Sequence, residues 1–118
     1  MERREAHAQN LRQQLERTRG TYLMMLESGF DRGQAVRLRF AYRPAPEGQA
    51  SALAAELRER TAFQVELQET EAGWMVHGFT RPRKLSAATL GRWVHWMCRL
   101  GYRHDCVFDG WGARVKTG

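Results

Sequence analysis

Apolar and polar positions alternate most strictly between residues 34 and 43. The apolar positions of this run are Val36, Leu38, Phe40 and Tyr42. A period of two predicts a β-strand with one buried face. Shorter apolar runs predict a second strand over 63–68, a third over 74–79 and a fourth over 105–109. Residues 71–73 form a short turn between the second and third strands, which favours an antiparallel hairpin.

A helical period predicts three helices. They cover residues 2–28, 47–61 and 86–100, and the third begins with a serine that is suited to the N-cap position. Gly29 and Gly101 follow the first and third helices and predict where those helices end. The apolar stripe of the third helix consists of Leu90, Trp93, Val94, Met97 and Leu100.

The order of these elements predicts an α+β fold of the ferredoxin-like βαββαβ type, an antiparallel sheet with two core helices behind an N-terminal helical arm. We divide the chain into an arm and loop over 1–33 and a domain over 34–118. Residues 81–84 are predicted to be a basic loop, and residues 110–112 a turn out of the last strand. The arm either packs on the open face of the sheet or docks on a second copy, and its apolar spacing does not decide between the two.

Length and composition exclude several classes of protein. The chain has 118 residues, which suits one domain, and it has no apolar run long enough to cross a membrane. The N-terminus carries charges of both signs, so no secretory signal is predicted. Two cysteines are too few for a secreted disulfide framework. We therefore expect a cytoplasmic protein with no membrane partner.

Charge indicates what kind of partner the chain could bind. The net charge is +6 and the isoelectric point is near 10.1. Most of the excess lies in residues 34–118, which hold thirteen Lys/Arg against eight Asp/Glu. A basic folded domain favours nucleic acid or an acidic protein surface as its partner.

Residues that could carry catalysis or bind a metal do not form a known pattern. His95 and Cys98 lie three apart on the third predicted helix, and His104 and Cys106 flank Asp105. This spacing matches no standard pair of zinc ligands, and the chain has neither a recognisable nucleophile signature nor a phosphate-binding loop. The sequence predicts no catalytic residue, no metal site and no cofactor, and hence a protein that is not an enzyme.

Arginines on the first strand are the first candidate binding residues. Arg37, Arg39 and Arg43 alternate with the buried set, so they stand on the sheet face that the two core helices leave open. An open sheet with arginines and aromatic residues is typical of single-stranded RNA binding. The alternative is that these arginines are solvated or paired with a protein partner.

Two tryptophans are the other candidates. Trp96 lies at the margin of the apolar stripe of the third helix, beside Arg92 and Arg99 on the outer face. Tryptophan with neighbouring arginines is typical of interaction hot spots, although Trp96 could also extend the edge of the core. Trp111 has a glycine on each side and either locks the end of the sheet or faces a partner.

Two short motifs and the order of the elements resemble a known family. Glu27-Ser28-Gly29-Phe30-Asp31 precedes the alternating strand, Gly73-Trp74 lies in the hairpin, and Phe108-Asp109-Gly110-Trp111-Gly112 ends the last strand. Over residues 24–115 this arrangement resembles the regulator of ribonuclease activity B family. The resemblance implies a small ferredoxin-like bacterial protein of the cytoplasm that binds the endonuclease ribonuclease E and restrains it without catalysis of its own.

Three functional hypotheses follow. The first is a non-catalytic regulator of RNA degradation whose protein partner is ribonuclease E or related degradation machinery. The second is a single-stranded RNA-binding module that uses the arginine face of the sheet. The third is a self-associating domain, a homodimer held by its sheet or by its N-terminal helix.

Overall fold

A computed structural model describes residues 2–113, and the predicted α+β class is confirmed there. These residues form three helices and six strands. In chain order the elements are α1 (Arg3–Glu27), β1 (Ala35–Val36), β2 (Leu38–Tyr42), α2 (Glu47–Arg60), β3 (Gln64–Thr70), β4 (Gly73–Phe79), β5 (Arg83–Lys84), α3 (Ala87–Arg103) and β6 (Phe108–Ala113). No helix in this part of the chain is long and apolar enough to span a membrane.

The alternating run forms the centre of the main sheet. Four strands lie in the order β3-β4-β2-β6, and each neighbouring pair is antiparallel. Leu38, Phe40 and Tyr42 are buried on one face of β2, as their period of two predicts. They share one core with the apolar residues of α2 and α3, and the Tyr42 hydroxyl donates to the Met97 carbonyl at 2.7 Å. The hairpin of β3 and β4 is also confirmed.

The predicted first strand is divided in two, and the predicted basic loop 81–84 contains a strand. β1 pairs with β5 in a separate two-stranded sheet, with Ala35 opposite Lys84. At the division the Leu38 N–H donates to the Thr80 hydroxyl at 3.0 Å and not to a backbone carbonyl, and Pro82 has no N–H to donate to a ladder. The prediction that residues 81–84 form only a loop was wrong.

The last strand lies further along the chain than predicted. β6 pairs with β2 from Phe108 opposite Tyr42 to Ala113 opposite Leu38, so residues 110–112 are extended and do not form a turn. The register shifts near Asp109, and Gly110 has a φ of +131°, a conformation that favours glycine. The glycine therefore serves a β-bulge, and the prediction of a strand over 105–109 followed by a turn was wrong.

The third helix begins as predicted and runs past its predicted end. Ser86 and Thr89 form a capping box in which each side chain accepts from the other residue's backbone N–H, at 3.1 and 3.0 Å. Gly101 is buried within α3 and does not end it. A Cβ atom there would lie 2.6 Å from the carbonyl oxygen of Cys106 and 2.7 Å from the Tyr42 ring. This glycine is required for close packing of the helix on the sheet.

The N-terminal helix packs on α3 and along the outer edge of β6. Its buried residues are Gln14, Thr18 and Tyr22. The side-chain amides of Asn10 and Gln14 donate to the Phe108 carbonyl at 3.2 and 3.3 Å. These contacts lie within one chain, and they place the helix along the edge of the sheet. The two predicted positions for the arm were the open face of the sheet and a second copy of the chain, and neither included this edge.

Candidate partner-binding surface

The solvent side of α3 carries a stripe of arginines around one tryptophan. Arg92, Trp96, Arg99 and Arg103 are spaced by four, three and four residues, which places them on one side of the helix. The three arginines are exposed and Trp96 is half-buried. The structure thus brings together Arg92, Trp96 and Arg99, the predicted candidates on this helix.

A second helix completes this surface. The Arg60 guanidinium of α2 lies over the Trp96 ring, 5.7 Å from its centroid. We call Arg60, Arg92, Trp96, Arg99 and Arg103 the helical surface. An arginine over an indole ring holds both groups in place, because a cation is attracted to the electron-rich ring face.

Glu56 of α2 holds two arginines and a histidine at the margin of the helical surface. Its carboxylate accepts from His104 Nε2 at 2.6 Å, from Arg60 Nη1 at 2.9 Å and from Arg103. The hydrogen bond from His104 and those from the two arginines lower the pKa of Glu56 to about 2, against the opposing effect of burial. This network fixes Arg60 and Arg103 and ties α2 to the end of α3.

The electrostatic character of the helical surface is positive. Arg92 and Arg99 form no ion pair with another residue of 2–113. Burial lowers the pKa of His7 on α1, and the nearby charges of His95, Arg3 and Arg99 lower it further. A half-buried tryptophan flanked by these two arginines, whose charges the described residues leave unneutralised, is suited to an acidic protein surface.

Sequence reasoning missed Arg60, Arg103, Glu56 and His104. Arg103 carries a usable signal, since it lies seven residues after Trp96 and so on the same side of the helix. Arg60 and Glu56 carry none, because only the packing of α2 beside α3 brings them to Trp96.

The arginines of the first predicted strand do not form one row. The Arg37 guanidinium lies over the Phe79 ring at 4.8 Å, and Arg39 lies directly opposite Phe79 in the β2–β4 register. Arg43 lies beyond the end of β2 and pairs with Asp109 at 3.4 Å. The structure therefore brings Arg37 and Arg39 together and leaves Arg43 apart.

Trp111 lies within β6, opposite Phe40, and packs against the core. Its indole Nε1 donates to the Thr18 hydroxyl of α1 at 2.9 Å. This hydrogen bond joins α1 to the sheet, so the geometry favours a locking role for Trp111.

Neither cysteine is placed for nucleophilic chemistry. Burial raises the pKa of Cys98 to about 12, and burial with the Asp105 charge raises that of Cys106 to about 11. Both are therefore protonated thiols at neutral pH, whereas the thiolate is the reactive form. Within residues 2–113 no group of three or more His, Cys, Asp or Glu is placed to hold a metal ion.

Comparison with known proteins identifies a related family. The family model described as regulator of ribonuclease activity B matches residues 15–113. The match begins within α1 and ends with β6, so it includes the helical surface and the whole sheet. No curated protein matches the chain.

Proposed function

Because the chain belongs to the regulator of ribonuclease activity B family, we propose that it is a non-catalytic protein that binds ribonuclease E through its helical surface and restrains cleavage. The family supplies the regulation of ribonuclease activity. The proposal adds two points to the family match, namely that the nuclease is ribonuclease E and that the helical surface binds it. The choice of the helical surface is based on the arrangement of residues around Trp96.

The observation that carries the choice of surface is the pairing of Trp96 with Arg60. Tryptophan and arginine are the residues that most often dominate binding energy at interfaces. Here the Glu56 network fixes Arg60 before a partner arrives, so less side-chain entropy is lost on binding. Arg92 and Arg99 flank the ring with positive charge that other described residues leave unneutralised.

The positive charge indicates the chemistry of the partner segment. An acidic stretch of the ribonuclease, with an apolar side chain that contacts Trp96, would complement the helical surface. Binding there restrains the nuclease by occupying one of its surfaces, and this requires no reaction by the regulator. A regulator of this kind acts in proportion to the amount bound.

The fold assignment forms part of the same proposal. We assign β2, α2, β3, β4, α3 and β6 to the ferredoxin-like βαββαβ arrangement, with α1 and the β1–β5 pair as additions. The strand order β3-β4-β2-β6 supports this assignment. The proposal also places the protein in the cytoplasm, where RNA turnover occurs, whereas self-association stays a prediction that light scattering on the full chain would test.

A cleavage assay with purified ribonuclease E and a labelled RNA substrate tests the function. We expect the rate to fall as the chain is added, with saturation near equimolar protein. Trp96→Ala should weaken inhibition by roughly 30-fold in concentration, because loss of a hot-spot tryptophan costs about 2 kcal/mol. Leu23→Ala is the matched control, since it removes an apolar side chain that is 53% exposed and lies outside the helical surface.

Two results would count against the proposal. One is an unchanged cleavage rate at a large excess of the chain. The other is a Trp96→Ala variant that keeps its thermal stability and inhibits as well as the parent chain.

A further inference from the structure

The open face of the main sheet carries a second basic surface, on the opposite side of the sheet from α2 and α3. We call Arg17, Arg37, Arg39, Phe79 and Arg81 the sheet surface. A groove of about 720 Å³ between α1 and the sheet is lined by Arg17 and Arg39 among others. A second groove of about 430 Å³ is lined by Arg37, Phe79 and Arg81 among others. Arg39 of the first groove lies directly opposite Phe79 of the second in the β2–β4 register.

Arg37 forms a fixed, exposed platform on this surface. Its guanidinium lies 4.8 Å from the centroid of Phe79, Nη2 donates to Gln64 Oε1 at 2.7 Å, and Nε donates to the Thr80 carbonyl at 3.4 Å. These contacts hold the guanidinium on the ring, although the side chain remains exposed. Arginine planes and aromatic rings are the groups on which unpaired nucleic-acid bases stack.

The charges of the sheet surface are not neutralised within residues 2–113. None of the four arginines forms an ion pair there, whereas Arg43 pairs with Asp109 and Arg60 with Glu56. Asp109 lines the larger groove and is already paired with Arg43, and Glu66, opposite His77 in the β3–β4 register, has its carboxylate 3.9 Å from that histidine. A polyanion would therefore find unoccupied cationic partners along both grooves.

The strand β6 leaves the floor of the larger groove bare. Gly110 and Gly112 line this groove, and no atom lies within 4 Å of the position that a Cβ atom would take on Gly112. Arg17 and Met24 of α1 form one wall. The groove is consequently open to an extended chain that runs across the sheet.

We propose that the sheet surface binds single-stranded RNA, with a base stacked on the Arg37 platform and phosphates at Arg17, Arg39 and Arg81. Stacking and unneutralised charge together favour RNA over an acidic peptide, which would use only the charge. This site is separate from the helical surface, so the chain could hold RNA and its protein partner at once.

Fluorescence anisotropy with a labelled oligouridine of about twelve nucleotides tests the proposal with the full chain. Each neutralised phosphate on a single strand contributes roughly −0.7 to the slope of log K against log salt concentration, so the three phosphate contacts predict about −2.1. Arg37→Ala/Arg39→Ala removes one phosphate contact and the stacking platform, so it should reduce that slope by about 0.7 and weaken binding at low salt at least tenfold. Arg17→Ala/Arg81→Ala, which changes two exposed side chains outside the strands, removes two phosphate contacts and should reduce the slope by about 1.4.

The matched control removes the same charge from the helical surface. Arg92→Ala/Arg99→Ala should change RNA affinity by less than about twofold. Equal loss in all three double variants would overturn the proposal, since net charge alone would then explain binding. It would also be overturned by the absence of salt-sensitive binding at micromolar protein, or by a polyglutamate peptide that displaces the oligonucleotide at an equal concentration of charge. Arg37→Ala/Arg39→Ala leaves the helical surface intact, so it should inhibit the ribonuclease as strongly as the parent chain does. This measurement therefore tests the helical surface separately from RNA binding.

Discussion

At the scale of single residues, Glu56 shows how one carboxylate organises a surface rich in arginine. Its two oxygens accept hydrogen bonds from His104, Arg60 and Arg103, and its side chain is only 16% exposed. A carboxylate in such a site is stabilised by its partners more than it is penalised by burial. Glu56 therefore affects both the stability of the fold and the position of Arg60 over Trp96.

The depressed pKa of Glu56 predicts a dependence of stability on pH. The carboxyl has a pKa of about 2 in the folded chain against an ordinary value of 4.5. Its stabilisation is therefore present above pH 4.5 and is lost as the pH falls from 4.5 towards 2. Urea unfolding of the parent and of Glu56→Gln at several pH values should show that the difference in free energy of unfolding shrinks over this window. A constant difference would contradict this account.

The residue scale also shows which parts of the site are visible in the sequence. Trp96, Arg92 and Arg99 could be grouped because they are close along one helix, where spacing alone determines the side on which a residue lies. Arg60 could not be grouped with them, because its contact with Trp96 depends on how two helices pack. Arg37 and Arg39 could be placed on the open face, but the stacking of Arg37 on Phe79 required the β2–β4 register.

At the scale of elements, α1 is a structural layer that covers the edge of the sheet. Tyr22 is 5% exposed, whereas its neighbour Leu23 is 53% exposed. The Trp111 indole and the Phe108 carbonyl both bond to α1. The division of the chain at residue 33 stays a prediction, and we propose that α1 unfolds together with the rest of the domain.

The pair Tyr22 and Leu23 tests the role of α1. Tyr22→Ala should lower the free energy of unfolding by about 3 kcal/mol, because it leaves a cavity beneath the helix. Leu23→Ala should stay within about 0.5 kcal/mol, since it removes an exposed side chain from the same turn. Chemical denaturation followed by circular dichroism measures both. Similar small effects in the two variants, or a separate early transition for α1, would show that α1 is only loosely attached.

Local signals predicted some elements and not others for identifiable reasons. The alternation over 34–43 predicted the buried face of β2, because a strand's period is a property of its own residues. β5 has only Arg83 and Lys84, and it becomes a strand because β1 passes beside it. Gly110 and Gly112 carry a turn signal in the sequence, yet pairing with β2 keeps them extended.

At the scale of the whole molecule, this chain of net charge +6 carries two basic surfaces on opposite sides of the sheet. The helical surface centres on a tryptophan, and its acidic residue Glu56 is engaged by Arg60, Arg103 and His104. The sheet surface combines two grooves with four arginines that form no ion pair with another residue of 2–113. This division predicts that partner binding and RNA binding can be lost independently.

Titration calorimetry of purified ribonuclease E with three forms of the full chain tests whether the helical surface is the binding site. The forms are the parent chain, Arg92→Ala/Arg99→Ala and Arg37→Ala/Arg39→Ala, and the two variants remove the same charge from opposite sides of the sheet. We expect a Kd at least tenfold weaker for Arg92→Ala/Arg99→Ala and within about twofold of the parent for Arg37→Ala/Arg39→Ala, because flanking arginines at an interface each contribute on the order of 1 kcal/mol. Equal affinity for all three forms, or a selective loss in Arg37→Ala/Arg39→Ala, would show that ribonuclease E does not bind through the helical surface.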